Sequence, residues 1–170
     1  MSSPSFTLIK NFDTPYADKI ASIMIKEWGF NYTDGFKYKS IDEYKLWKKD
    51  TLILIASDPD NQDLLGMIAY ETYNMANNGG RWTPCLCCLW VTESQRKKGL
   101  GTELLQRMTD ICRRNKLPPD YLNNPRHDLY LWFIDSSLIP FFERSKWRYL
   151  VPWNYLNRRV HIMYRDLRND

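Results

Sequence analysis

The sequence predicts a single mixed α/β (α+β) domain in which about seven strands form a central sheet flanked by about four helices. Three observations indicate this class. Short apolar or alternating runs, typical of strands, are interleaved with longer segments in which apolar residues recur every three or four positions. A chain of 170 residues suits one domain with a sizeable core. It contains neither an internal repeat nor a linker-like stretch, so we expect the domain to span residues 1–170.

The first half of the chain predicts three strands and two helices. A short alternating run at 6–10 suits the first strand, and residues 13–15 supply cap residues and a first-turn proline for the first helix. One face of that helix is apolar and consists of Ala17, Ile20, Ala21, Met24 and Trp28. Residues 40–47 begin with a capping-box pattern and predict a second helix. The next two strands follow at 51–57 and 64–73, on either side of a turn-rich segment.

The second half of the chain predicts four strands and two helices. Residues 85–91 are all apolar, which is typical of a strand buried on both faces. The next helix has a buried face that consists of Leu100, Leu104, Leu105, Met108, Ile111 and Cys112. After a proline-containing loop at 116–127, a strand is predicted at 129–134 and a short helix at 138–145. Residues 147–165 are then typical of a closing hairpin.

Charge and cysteine content narrow the class of protein. A net charge of +4 is too small to indicate nucleic-acid binding, and a polyanionic cofactor would account for it equally well. Cys85 and Cys88 have Cys-x-x-Cys spacing, but no second pair completes a zinc site. In a regular strand their side chains would point to opposite faces, so we expect reduced thiols and no metal. We see no signal peptide and no membrane span, and we expect a cytoplasmic protein that binds neither membrane nor nucleic acid.

One turn in the sequence predicts a binding site for phosphate groups. The motif Arg-x-x-Gly-x-Gly at 96–101 stands between the apolar strand that ends at Val91 and the helix that begins near Leu100. Glycines let the backbone curl tightly beside a ligand, and the first N–H groups of a helix are unpaired at its positive end. With the three basic residues at 96–98 they would hold phosphate oxygens. The alternative is an ordinary strand-to-helix turn with solvated charges, and the P-loop and Rossmann patterns fit less well.

This turn resembles the Gln/Arg-x-x-Gly-x-Gly/Ala signature that follows the fourth strand in the GNAT superfamily of N-acetyltransferases. Residues 89–91 stand where the family's fourth strand splays from the fifth and pairs with the pantetheine amides. Residues 141–147 resemble the family's later Phe/Leu-Tyr-Glu-Lys-x-Gly-Phe/Trp block, with Phe142 in place of Tyr and Lys146 in place of Gly. The resemblance covers nearly the whole chain and implies a GNAT-like domain whose sheet is splayed at the fourth and fifth strands.

The resemblance implies acetyl-CoA as co-substrate and direct attack of an amine on the thioester, with a backbone N–H of Leu89 or Trp90 polarising the carbonyl. It places the acetyl-CoA against Leu89, Trp90, Val91, Arg96, Lys97, Lys98, Gly99, Leu100, Gly101, Thr102, Ser137, Phe141, Phe142 and Arg144. Phe142 has no ionisable proton, so the role of the family's tyrosine in protonating the departing thiolate is vacant or filled by another group. The candidates for that group are Tyr70, Tyr149 and Tyr155.

The attacking amine must lose a proton, and the fourth strand offers no carboxylate between positions 84 and 91. Glu27, at the end of the first helix, and Glu71, toward the end of the third strand, are the candidate catalytic bases. For either residue a solvated surface carboxylate is the alternative. Asp135 and His161 are weaker candidates, for which a cap role and a structural or exposed role are favoured, and His127 has no companion at metal-ligand spacing.

The acceptor is predicted to be a small (poly)amine-type molecule, because acidic side chains are available for a polycationic substrate. These side chains are Glu27, Asp34, Glu71 and Asp135. A protein or peptide amine, either an N-terminus or a lysine, is the alternative, since basic residues at 37, 39 and 158–159 would favour an acidic peptide. A second alternative is a catalytically degenerate module that only binds acyl-CoA, as the loss of the tyrosine at Phe142 would allow. A homodimer is compatible with each of these.

Overall fold

The computed structural model describes residues 3–10, 12–28, 42, 45, 51–76, 82–117, 128–155 and 158–168. The strands are Ser5–Lys10 (β1), Leu52–Ser57 (β2), Leu64–Ala76 (β3), Trp82–Val91 (β4), Asp128–Phe133 (β5), Arg148–Tyr155 (β6) and Arg158–Asp166 (β7). The helices are Ala17–Trp28 (α1), Leu100–Arg114 (α2) and Ile139–Arg144 (α3), with 3-10 turns at Glu93–Gln95 and Ser136–Leu138. The predicted order of elements is confirmed, except that the helix predicted at 40–47 lies outside the described residues apart from Asp42 and Lys45.

The seven strands form one sheet in the order β1-β2-β3-β4-β5-β7-β6. Neighbouring strands are antiparallel except β4 and β5, which run parallel. Within the described residues, β4 and β5 pair only through Cys85 with Tyr130 and Leu86 with Leu131. Beyond these two pairs the strands separate, and the predicted splay is confirmed. None of the helices in the described segments is both long enough and apolar enough to cross a membrane.

Side-chain alternation along the strands divides the core between the two faces of the sheet. On one face, α2 and α3 pack over a cluster that includes Leu54, Ile68, Leu86, Leu104, Met108, Leu131, Phe142 and Trp147. On the other face, α1 packs through a cluster that includes Ile20, Ala21, Met24, Ile53, Ile55, Met67 and Ala69. The apolar faces predicted for the first helix and for the helix after the glycine turn are therefore the buried ones, although Ala17 and Ile111 are only half-buried and the side chain of Trp28 lies outside the described residues.

Strand β4 departs from the prediction that residues 85–91 are buried on both faces. Cys85 and Leu86 are buried, whereas each of the residues 87–91 is only half-buried. The two buried residues are those that pair with β5. Where β5 diverges from β4, one edge of β4 loses its neighbour, and the apolar strand lines a gap between the two strands.

A β-bulge interrupts β4 at Cys88. Met67 on β3 is opposite Trp90, but Ala69 is opposite Cys87, so β4 contains one extra residue between these pairs. Cys88 has a φ of 54°, which is unusual for a residue other than glycine. The extra residue brings Cys87 and Cys88 to the α1 face together. The prediction that Cys85 and Cys88 point to opposite faces is therefore wrong, because both thiols lie on this face of the sheet, although all four cysteines are free.

Stability at alkaline pH should depend on Cys112, a fully buried residue of α2. Burial raises the pKa of this thiol to about 12 from the usual 9.0. The thiol therefore loses its proton at a lower pH in the unfolded chain than in the folded one. The free energy of unfolding keeps its full contribution from the buried thiol below about pH 9 and falls as the pH rises toward 12. We expect Cys112→Ala to reduce the alkaline loss of unfolding free energy by about 2 kcal/mol near pH 10.5. Urea titrations of both proteins at about pH 8 and 10.5, with a reductant, measure this difference, and equal losses would contradict it.

Candidate functional site

The turn between β4 and α2 is shaped by left-handed backbone conformations. Gly99 precedes the helix with a φ of 90°, and Lys97 also has a positive φ, of 62°. A Cβ atom built at Gly99 would meet nothing within 4 Å, so the requirement for glycine here comes from the backbone conformation and not from limited space. The conformation reverses the chain so that α2 begins immediately after the turn. The N-terminus of α2 therefore lies at the end of the sheet where β4 ends.

The N-terminus of α2 offers a group of backbone donors beside positive charge. The first intrahelical bond runs from the Glu103 N–H to the Gly99 carbonyl oxygen at 3.0 Å. The three preceding N–H groups, at 100–102, therefore precede the regular helical ladder and carry its positive dipole. The basic side chains at 96–98 are exposed beside them. This arrangement suits an anion with several oxygens, such as a pyrophosphate.

Backbone groups near the end of β4 face the gap between β4 and β5. The Thr92 N–H donates to Leu65 O at 2.9 Å, so the polar groups of Thr92 point toward β3. Because these groups alternate along a strand, those of Val91 and Leu89 point away from β3. The Arg96 Nε donates to Val91 O at 3.1 Å, which agrees with that direction. Trp90 instead aligns with Met67 on β3. The gap is therefore lined by the N–H and carbonyl groups of Leu89 and Val91.

Helix α3 closes the same end of the sheet with aromatic rings. Phe142 is buried in the core, and its ring centroid lies 4.9 Å from the centroids of both Phe133 and Phe141. Phe141 is half-buried and approaches the turn, since a Cβ at Gly101 would lie 3.7 Å from its Cζ. Lys146 has a φ of 65°, so the turn typical of glycine is kept although the residue is lysine.

The predicted acetyl-CoA contacts fall at this one end of the sheet. Leu89, Trp90 and Val91 lie on β4, the residues at 96–102 form the turn and the start of α2, and Phe141, Phe142 and Arg144 lie on α3. Ser137 belongs to the 3-10 turn before α3, and both it and Arg144 are exposed.

Glu71 is buried on the α1 face of the sheet, with 5% of its surface exposed. It stands on β3 opposite Cys85, one of the two β4 residues that pair with β5. A carboxylate oxygen of Glu71 and the Sγ atoms of Cys87 and Cys88 all lie within 4.8 Å of one another. Burial, then the Cys87 side chain, and then the charges of neighbouring groups including Glu71 raise the pKa of Cys85 well above its usual range.

The remaining candidate acids and bases differ in position. Glu27 is exposed near the end of α1. Asp135 accepts a hydrogen bond from the Ser137 N–H at 2.9 Å, and hydrogen bonds from Ser137 lower its pKa, which confirms the cap role. Tyr70 is buried in the cluster beneath α2. His127 and the side chain of Tyr155 lie outside the described residues.

A pair that sequence reasoning did not identify joins Tyr149 and His161. The Tyr149 Oη lies 2.9 Å from His161 Nδ1, and the imidazole stacks on Phe133 with ring centroids 5.7 Å apart. The two residues were separate candidates in the sequence. Their contact follows from the β6–β7 register, in which Tyr149 aligns with Met163 and His161 with Pro152.

Comparison with known proteins identifies the family. Residues 17–132 match the family model described as the acetyltransferase (GNAT) family. No curated protein sequence matches the chain significantly. Among solved structures, an acyl-CoA N-acyltransferase from Pseudomonas aeruginosa is 15% identical, with a TM-score of 0.61 over 96% of this chain and 99% of that one. YncA from Salmonella typhimurium, solved with its cofactor acetyl-CoA, is 16% identical, with a TM-score of 0.65 over 98% of this chain and 95% of that one.

A third structure shares the same fold. An aminoglycoside 6'-N-acetyltransferase complexed with coenzyme A is 13% identical, with a TM-score of 0.62 over 96% of this chain and 97% of that one. At these identities the structures establish a common fold, and the family match extends over most of the chain. Together with the splayed sheet and the glycine turn, that match shows that the chain belongs to the GNAT acetyltransferase family.

Proposed function

We propose that this protein transfers an acetyl group from acetyl-CoA to a primary amine. The observation that supports this most directly is the turn at 96–101, which leads into the N-terminus of α2 beside the gap between β4 and β5. The pyrophosphate of acetyl-CoA would bind the N–H groups at 100–102 and the basic side chains at 96–98. The pantetheine arm would then lie along β4, and the acetyl thioester would reach the region of the bulge at Cys88.

The Leu89 N–H is the donor that we propose for the thioester carbonyl oxygen. It faces the gap, whereas Trp90 aligns with Met67 on β3. An N–H held in place by the sheet stabilises the negative charge that develops on this oxygen when the amine attacks, and it needs no reorganisation to do so. Sequence alone left Leu89 and Trp90 as equal candidates, and the strand register favours Leu89.

Glu71 is the base that we propose for the attacking amine. It is a buried carboxylate on β3, adjacent in register to the point where β4 and β5 separate. A carboxylate in that position can take a proton from the ammonium form of the substrate, directly or through a water molecule. Glu27 is exposed at the end of α1. We propose that it borders the acceptor site.

Departure of the CoA thiolate does not require an acid at position 142. Phe142 packs in the core against Phe133 and Phe141, and this contact is a structural role for the ring. A thiol with an ordinary pKa of about 8.5 is a good leaving group even as the unprotonated thiolate. The thiolate can then take its proton from solvent. Loss of the tyrosine hydroxyl is therefore compatible with turnover.

A small polyamine or a related polycationic amine is the acceptor that we propose. The buried carboxylate of Glu71 and the exposed carboxylate of Glu27 favour a positively charged substrate. A protein of the same fold that acts on an aminoglycoside gives a precedent for such an acceptor. A peptide acceptor is the alternative, for which exposed Arg159 on β7 would provide an attraction to acidic side chains.

Thiol release with a panel of amines tests both the activity and the acceptor. We expect linear polyamines and aminoglycosides to release CoA from acetyl-CoA with saturable kinetics, and peptides with free N-termini or lysines to release little. Mass spectrometry of the products should show one added acetyl group on an amine nitrogen. Turnover with peptides alone would overturn the small-amine proposal. Tight binding of acetyl-CoA without turnover on any amine would support the degenerate module instead.

Two further properties belong to this proposal. The four free cysteines support a reducing, cytoplasmic location. Leu150 and Val151, each 47% exposed on the edge strand β6, support association of two copies through that edge. Light scattering of the purified protein would measure the second property directly, and a monomeric mass at micromolar concentration would contradict it.

A further inference from the structure

Two neighbouring strands bring three metal-ligating side chains together on the α1 face of the sheet. Glu71 comes from β3, and Cys87 and Cys88 come from β4. One ligand atom of each residue lies within 4.8 Å of the other two. Adjacent residues of a regular strand point to opposite faces, so two successive cysteines would ordinarily be separated by the sheet. The bulge at Cys88 removes that separation and is the reason that this group exists.

The distances fit a small cation. Zinc binds thiolate sulfur at about 2.3 Å and carboxylate oxygen at about 2.0–2.2 Å, so ligand atoms in a tetrahedral site lie about 3.4–3.8 Å apart. A group already within 4.8 Å reaches these separations through small side-chain rotations. Two sulfurs and one carboxylate are a donor set that favours thiophilic divalent cations over Mg²⁺ or Ca²⁺.

The surroundings also suit such a cation. Glu71 is buried, and the attraction between a carboxylate and a cation is stronger at a buried position than in water. Cys87 and Cys88 are half-buried, so a metal ion can reach the group from solvent. Cys112 is remote from this group, because it lies in the cluster beneath α2 on the opposite face of the sheet.

We propose that Glu71, Cys87 and Cys88 form a binding site for a thiophilic divalent cation such as Zn²⁺, with three protein ligands and a fourth position open to solvent or substrate. This set differs from the Cys85-x-x-Cys88 pair that spacing alone would suggest. The positions of these three ligands also assign an inhibitory role to the site. Glu71 is the proposed base and Cys88 precedes Leu89, the proposed carbonyl donor, so bound metal blocks acetyl transfer. That inhibitory role rests on the proposed function, whereas metal binding does not.

Titration with Cd²⁺ tests the site directly. Cadmium replaces zinc at thiolate sites and produces an ultraviolet sulfur-to-metal charge-transfer band. In a non-thiol reductant we expect the wild-type band to saturate at one Cd²⁺ per chain. Cys87→Ser and Cys88→Ser each remove a direct ligand of the metal. Each should therefore weaken Cd²⁺ binding by more than the loss of an outer-shell partner does, which is about 10–100-fold. Glu71→Gln should weaken binding while keeping the thiolate band at saturation, since both sulfurs remain.

Cys112→Ala is the matched control, because it removes a thiol from the opposite face of the sheet. It should bind Cd²⁺ as the wild type does. Circular dichroism and acetyl-CoA binding check that each variant is folded. A band that persists at wild-type affinity in both serine variants, or that disappears in Cys112→Ala, would overturn the site.

Inhibition of acetyl transfer by zinc tests the inhibitory role proposed for the site. We expect micromolar Zn²⁺ to lower turnover of the wild type and of Cys112→Ala in parallel with metal occupancy, and a chelator to restore it. In Cys88→Ser the same occupancy should need more than about tenfold more zinc, which corresponds to at least 1.4 kcal/mol of lost binding. Cadmium binding without zinc inhibition would reject the role assigned to Glu71 and retain the site. Acetyl transfer in a protein that binds no cadmium would reject the site and retain the enzyme activity.

Discussion

Glu71→Gln should lower kcat for acetyl transfer by about 10²- to 10⁴-fold, the contribution typical of a positioned general base. Glutamine has nearly the same shape as glutamate but cannot take a proton from the attacking ammonium group. The loss should shrink as the pH approaches the amine's pKa of about 10.4, because the substrate then carries its own neutral nitrogen. Steady-state rates of CoA release between neutral and alkaline pH measure both effects.

Glu27→Gln is the matched control for this prediction, since it makes the same chemical change on the exposed end of α1. We expect it to raise KM for the amine modestly and to leave kcat and the shape of its pH profile nearly unchanged. A kcat for Glu71→Gln equal to that of the wild type would eliminate Glu71 as the base. A loss that is constant at all pH values would indicate that Glu71 positions the substrate instead.

Gly99→Val should raise KM for acetyl-CoA by about tenfold or more, equivalent to at least 1.4 kcal/mol of lost binding. Gly99 has a φ of 90°, and a β-branched residue with a positive φ costs about 1–3 kcal/mol of strain. Relief of that strain would turn the N–H groups at 100–102 away from the pyrophosphate. Because the thioester and Glu71 are untouched, kcat at saturating acetyl-CoA should change much less. Initial rates over a range of acetyl-CoA concentrations separate the two parameters.

Met108→Ala provides the comparison for Gly99→Val. Met108 is fully buried on the same helix, and its truncation should lower the unfolding free energy by about 2–5 kcal/mol. It lies two turns beyond the helix start, so KM for acetyl-CoA should remain at the wild-type value at temperatures where the variant is folded. If both variants raise KM equally, the effect of Gly99→Val comes from general destabilisation, and the phosphate site is elsewhere.

Local patterns in the sequence were sufficient for most of the fold. The spacing of Ile20, Ala21 and Met24 predicted the buried face of α1, and that of Leu104 and Met108 predicted the buried face of α2. Such periodicity depends only on the geometry of one helix or strand, so it can be read without knowledge of the neighbours. The order of elements and the splay followed from these patterns and from the resemblance carried by the turn at 96–101.

The candidate site was predictable only in part. The glycine turn combines residue types with a special backbone conformation, and the φ of 90° at Gly99 agrees with that interpretation. The sequence alone also showed that Phe142 lacks the hydroxyl group of the family's tyrosine. By contrast, the sequence left both Glu27 and Glu71 as candidate bases, because no local pattern distinguishes an exposed carboxylate from a buried one. The pairing of Tyr149 with His161 likewise required the β6–β7 register.

By itself, the sequence determined the class of fold, the strand-turn-helix unit for phosphate and the absence of a tyrosine at position 142. Only the tertiary structure decided that residues 87–91 line a gap, that Glu71 is buried and that Cys87 and Cys88 share one face. The physical reason is that burial and register depend on partner strands remote along the chain. Cysteine is also not a residue type that signals a positive φ, so nothing local marks Cys88 as the position of the bulge.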